Sequence, residues 1–155
     1  MLYNSCILPH ITYCIEIWGN TFNSFIDPIL KLQKKFVRLV TFSHPRASSS
    51  PLFLKLGILD VHKLCKLHTC IFTYDLKNDH YAHSLDHYAP SVSHSYFTRS
   101  LTHDKLVIPK INLSSSKNSL TFSLVKQWNE IPVSIKSLKS RNLFKYALKS
   151  HLLHE

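Results

Sequence analysis

Lys31, Lys34, Lys35 and Arg38 recur at i, i+3, i+4 and i+7, the spacing that gathers side chains on one side of an α-helix. A row of ammonium and guanidinium groups so placed can hold the phosphates of a nucleic acid without reading its bases. The same row would also serve as plain solvated surface. Further along, Lys136, Lys139, Arg141, Lys145 and Lys149 could extend a phosphate-binding surface or form a second solvated face. Tyr96, Phe97 and Arg99 form an aromatic–cation cluster that could stack on an unpaired base or simply pack against a core.

Histidine and cysteine raise two other chemistries. His80, His83 and His87 stand at i, i+3, i+7, and His62, Cys65, His68 and Cys70 lie close together, donors of the type zinc takes. Neither group holds the Cys-x-x-Cys pair of a structural zinc site, so Cys65 and Cys70 are expected to be core thiols and the histidines loop residues. Nucleophilic catalysis needs Ser or Cys beside His with an orienting acid. With 11 histidines and many serines, chance proximity carries no weight, and the 9 acids offer no paired carboxylates. No catalytic residue, metal or cofactor is expected.

The helix that must position the first basic row is expected over Asp27–Thr41. Asp27 would cap it, and Pro28 suits the first helical position, where no N–H is required. Ile29, Leu32, Phe36 and Val40 would face the core. Before it, the apolar stretch from Leu2 to Trp18 is interrupted by Pro9 and stopped at Gly19-Asn20. It needs a partner surface, and residues 2–18 could dock another protein. After it come a loop ending at Ser50 and a short helix broken at Gly57. Asp60 would then cap a longer helix to about Lys77, with Leu64, Leu67, Ile71 and Phe72 inward. Periodicity is lost from Asn78 to His103. Leu106–Ile111 reads as a short strand. Phe122, Val125 and Trp128 mark a helix over Ser119–Asn129, and Leu143, Ala147, Leu148 and Leu152 the buried side of a last one. Three segments follow: 1–42, 43–88 and 89–155. The fold class is mainly α, a small helical bundle followed by a second helical lobe with a few short extended pieces.

A chain of 155 residues can build one domain with a real core, or two small subdomains. Its formal charge of +10 favours a polyanionic partner, nucleic acid before an anionic membrane. The excess is uneven: from Lys105 onward there are nine Lys or Arg and two acids. Only 2 glycines leave no Walker-type loop and no dinucleotide fingerprint. The opening segment lacks a basic n-region and is interrupted by polar residues, so neither a secretory leader nor a membrane span is expected. The four thiols are then expected reduced and the protein intracellular, in nucleus or cytoplasm.

Five stretches in order resemble the C-terminal region of reverse transcriptases from LINE-type, jockey-like non-LTR retrotransposons. They are LYNSCILPHITYCIEIWGN at Leu2–Asn20, IDPILKLQKKFVRLVT at Ile26–Thr41, LFLKLGILDV at Leu52–Val61, HSYFTRS at His94–Ser100, and SLVKQWNEIPVSIKSLKSRNLFKYALKSHL at Ser123–Leu152. The resemblance implies a helical thumb in the first two stretches, gripping an RNA/DNA template–primer duplex by its backbone. Lys31, Lys34, Lys35 and Arg38 match the family's basic run, and Trp18 and Trp128 its two tryptophans. The metal-holding palm aspartates have no counterpart, since no Asp-Asp pair occurs in the chain. A fragment that retains duplex binding without polymerase activity is therefore expected, with the missing palm as a further partner for residues 2–18. Met1 would then be an internal methionine.

Overall fold

A computed structural model describes residues 3–78 and 104–155. Among them the chain is mainly α, with no strand. A π-helical turn, Tyr3–Ile7, runs into α1 (Leu8–Thr12). Then follow α2 (Ile15–Trp18), α3 (Asn23–Val40), α4 (Ser50–Leu56) and α5 (Val61–Lys77). A 3-10 turn, Ser114–Asn118, leads to α6 (Leu120–Glu130), α7 (Val133–Lys136) and α8 (Arg141–His154).

The first apolar stretch divides at Cys14, which adopts the left-handed conformation (φ 49°), rather than at Pro9, which sits in the first turn of α1. Gly19 ends α2 because nothing larger fits: a Cβ there would meet the Ile15 carbonyl oxygen at 2.5 Å and Cys65 Sγ at 2.7 Å. α3 starts four residues before the expected Asp27. Phe22 is extended (φ −61°, ψ 142°), and its carbonyl accepts the first bond from Phe25 N at 2.9 Å. Pro28 thus lies inside the helix, where its ring removes one amide from the ladder.

α5 is capped as its sequence predicts, with Lys63 N donating to Asp60 Oδ1 at 2.9 Å. Its Leu64, Leu67 and Ile71 are buried. Ser119 Oγ accepts from Phe122 N to cap α6. The segment expected as a strand, Leu106–Ile111, pairs with no other strand. Instead the Asn129 side chain serves as its partner: Leu106 N donates to Asn129 Oδ1 at 2.8 Å and Asn129 Nδ2 donates to the Leu106 carbonyl at 2.9 Å. On α8 Leu143 is exposed, and Phe144, one position on, is fully buried with Leu148 and Leu152.

The main core draws on the whole length of the chain. Ile15 and Ile26 meet Leu64, Cys70 and Tyr74 of α5, Trp128 of α6 and Phe144 of α8. The Tyr74 and Trp128 rings stack on Phe144, at 4.6 and 5.8 Å between centroids. Each such ring contributes about 1.5–3 kcal/mol by leaving water. Tyr3, Val37, Phe53 and Ile58 form a second, smaller cluster that seats α3 on α4.

Candidate nucleic-acid interface

What fixes the roll of α3 is a polar residue. Gln33 is 2% exposed, and its amide is satisfied at three points. Its Nε2 donates to Tyr3 Oη at 2.7 Å and to the Leu59 carbonyl at 2.9 Å, and its Oε1 accepts from Val61 N at 3.0 Å. The buried line of α3 is therefore Ile26, Gln33 and Val37. At 100° per residue this lies about 75° around the axis from the expected line of Ile29, Leu32, Phe36 and Val40. Ile29 and Phe36 still pack at the margins of the two clusters, while Leu32 and Val40 are exposed.

The roll explains how the four cations sit. They occupy about 100° of arc on the side away from the core. Lys31 and Lys35 are exposed, whereas Lys34 and Arg38, nearer the buried line, are half-buried. Among the described residues none of the four has a carboxylate partner. Arg38 Nε donates to the Ala47 carbonyl at 2.9 Å, which fixes the stem of its guanidinium while the Nη groups keep donors to spare. The helix then stops in a Schellman turn: Phe42 N donates to Leu39 O and Ser43 N to Arg38 O. Phe42 holds the left-handed position (φ 50°) that glycine usually takes.

The later cations separate into different roles. Arg141 is tied to structure on one edge, its Nε and Nη2 donating to the buried Asp75. Its side chain is still about half exposed. Lys139 is exposed beside a cavity formed by Tyr74, Lys77, Trp128 and Lys136. Lys145 and Lys149, exposed on α8, line a cavity with Tyr3, Leu8 and His68. Lys34 lines another, of about 410 Å³, with Phe53, Asp60, Lys63 and His154. The α3 cations thus form one group, and the α8 cations border a different cavity.

A feature that sequence reading missed lies beside the basic row. Phe25, Leu32 (65% exposed) and Leu39 (72% exposed) recur every seven residues along the outer side of α3, with Phe22 and Phe42 at its ends. Within residues 2–18, by contrast, Tyr3 and Ile15 are buried and Leu8, Ile11 and Trp18 pack on the core, leaving Tyr13 and Ile17 exposed.

Among the described residues no three His, Cys, Asp or Glu side chains converge as a metal site would require. Burial pushes the Cys65 thiol up to about 11 and raises Cys70 further. His68 Nδ1 faces Glu16 Oε1 at 3.3 Å, and His62 lines a separate polar cavity. His80, His83, His87, Tyr96, Phe97 and Arg99 lie outside the described residues. Among the described residues no helix is long and apolar enough to cross a membrane. No family model, curated protein or solved structure matches the chain.

Proposed function

We infer that the chain binds double-stranded or hybrid nucleic acid through the phosphate backbone, with the cationic side of α3 as its contact surface. The observation that carries this reading is the grouping of Lys31, Lys34, Lys35 and Arg38 on one side of α3, none of them in an ion pair among the described residues. A net charge of +10 supplies the long-range attraction. With its five ordered motifs, the chain reads as the thumb and downstream region of a LINE-type reverse transcriptase. Without an Asp-Asp pair the activity is binding, not nucleotidyl transfer. The test is a gel shift of the full chain with an RNA–DNA hybrid and with a second hybrid of unrelated sequence. Equal affinity for both, lost together in a K31Q/K34Q/K35Q/R38Q variant, is expected. A preference for one sequence, or binding that survives the substitutions, would overturn the reading.

A second reading, a helical protein-interaction module with no nucleic-acid role, is favoured by the apolar line Phe25–Leu32–Leu39. Under it, F25S/L32S/L39S would abolish self-association or partner capture and leave the response to nucleic acid as it was. Size-exclusion chromatography at two salt concentrations separates the readings, because apolar association survives salt that screens phosphate contacts.

A further inference from the structure

Lys136, the last residue of α7, is 8% exposed. Among the described residues its ammonium has neither a carboxylate nor a hydrogen-bond acceptor. The stem of the side chain is buried and its ammonium opens into a cavity, so the charge is partly withdrawn from water without a counter-ion, which is unfavourable. Here the surroundings add more positive charge. Lys77 and Lys139, with Asn78 and Ser137, line the same cavity of about 200 Å³. Asp104, the carboxylate among these lining residues, is already closed on Lys77. The Trp128 ring lies 4.9 Å from Lys77 Nζ and 5.6 Å from Lys136 Nζ, so its face cushions both charges. A ring face offers no oxygen to accept an N–H bond, and the ammonium keeps its donors for another group. Burial, with Lys77 and Lys105 adding to it, pulls the Lys136 pKa down against the opposing pull of Asp104. An anion seated in the cavity would relieve that strain.

We propose that the cavity between the end of α5, Asp104 and α7 is a binding site for one oxyanion of the phosphate class, with Lys136 as its buried ligand and Lys139 and Asn78 beside it. Its volume of about 200 Å³ falls below the roughly 300–1,000 Å³ of pockets that enclose drug-sized molecules. A single phosphate group fits, and a nucleotide would keep its base outside. A free phosphate and a backbone phosphate present the same chemistry here. The site does not rest on the reading of α3, because Lys136 and Lys139 line none of the cavity that Lys34 reaches.

The test uses the full chain in a Trp18→Phe background, so that emission reports Trp128 alone. Inorganic phosphate is titrated against chloride at matched ionic strength, reading both the thermal midpoint and the emission. A saturable rise in midpoint with a matching change in emission is expected. Lys136→Met should raise the midpoint in phosphate-free buffer, because it removes the unpaired charge, and should lose the phosphate response. Lys139→Gln, on the surface and harmless to folding, should weaken the response several-fold. A hybrid duplex in place of phosphate separates the sources. If only the duplex produces a Lys136-dependent change, the phosphate belongs to a nucleic-acid backbone. A Lys136-dependent change with inorganic phosphate marks a free anion. No response to either, or an undiminished response in Lys136→Met and Lys139→Gln, would overturn the proposal.

Discussion

Arg141 holds Asp75 by three hydrogen bonds, Nε to Oδ1 at 2.8 Å and to Oδ2 at 3.0 Å and Nη2 to Oδ2 at 2.9 Å, tying the start of α8 to α5 across 66 positions of sequence. Asp75 is 2% exposed with the guanidinium in place, so removing it leaves a largely desolvated carboxylate without its counter-charge. Arg141→Ala should lower stability by about 2–3 kcal/mol, below the ~3–5 of a wholly buried pair because the arginine is half in solvent. Urea unfolding of the variant checks this. Arg141→Lys should recover part of the loss at most, since a point charge cannot reproduce the two-point contact. If Arg141→Ala unfolds with the wild-type midpoint, the pair has no structural role.

Gln33 sets the roll of α3, and its removal should be costly out of proportion to its size. Gln33→Leu leaves the Val61 amide, the Leu59 carbonyl and the Tyr3 hydroxyl without their buried partner. A loss of about 2–3 kcal/mol is expected, since each orphaned group adds its own desolvation penalty. Chemical denaturation would show it. A neutral or stabilising Gln33→Leu would mean that packing alone places the helix.

The Glu16–His68 contact makes a signed prediction about acid. The hydrogen bond from His68 holds the Glu16 carboxyl below its ordinary value of 4.5, and burial only partly opposes it. A group whose pKa is depressed on folding stabilises the native state above its unfolded value and loses that contribution as pH falls through the folded one. The stability difference between wild type and Glu16→Gln should therefore be constant from neutral pH down to about 4.5 and shrink below it. A difference independent of pH across the acid range would contradict this.

The thiols should divide two and two. Cys6 and Cys14 are exposed, whereas Cys65 and Cys70 are buried and raised well above the free thiol. Because the thiolate is the reacting form, a disulfide reagent near pH 8 should titrate two groups quickly in the folded protein and all four in urea. Fast reaction of a third would show that the main core opens.

The mainly α fold, and the helices carrying a strong repeat, could be read from sequence. The cap at Asp60 and the period of Leu64, Leu67 and Ile71 are local signals, and local chemistry decides them. The roll of α3 was not legible. A glutamine between Leu32 and Lys34 reads as surface, and it is buried only because Tyr3, Leu59 and Val61 converge on it from 26 to 30 positions away. Leu143 and Phe144 show the same limit, since either could face inward until Tyr74 and Trp128 supply a stacking partner for the ring. Arg141 reads as one more surface cation until a buried aspartate three helices earlier pairs with it. The spacing of Lys31, Lys34, Lys35 and Arg38 was legible because a helical arc depends on nothing outside the helix.

The salt dependence of duplex binding tests that arc most directly. Each phosphate contact that releases a counterion adds about −0.9 to the slope of log K against log salt, so four contacts give roughly −3 to −4. The wild-type chain should show that slope with an RNA–DNA hybrid. The K31Q/K34Q/K35Q/R38Q variant, its fold checked by circular dichroism, should show a nearly flat one. The same slope and the same affinity in both proteins would contradict a phosphate-binding role for α3.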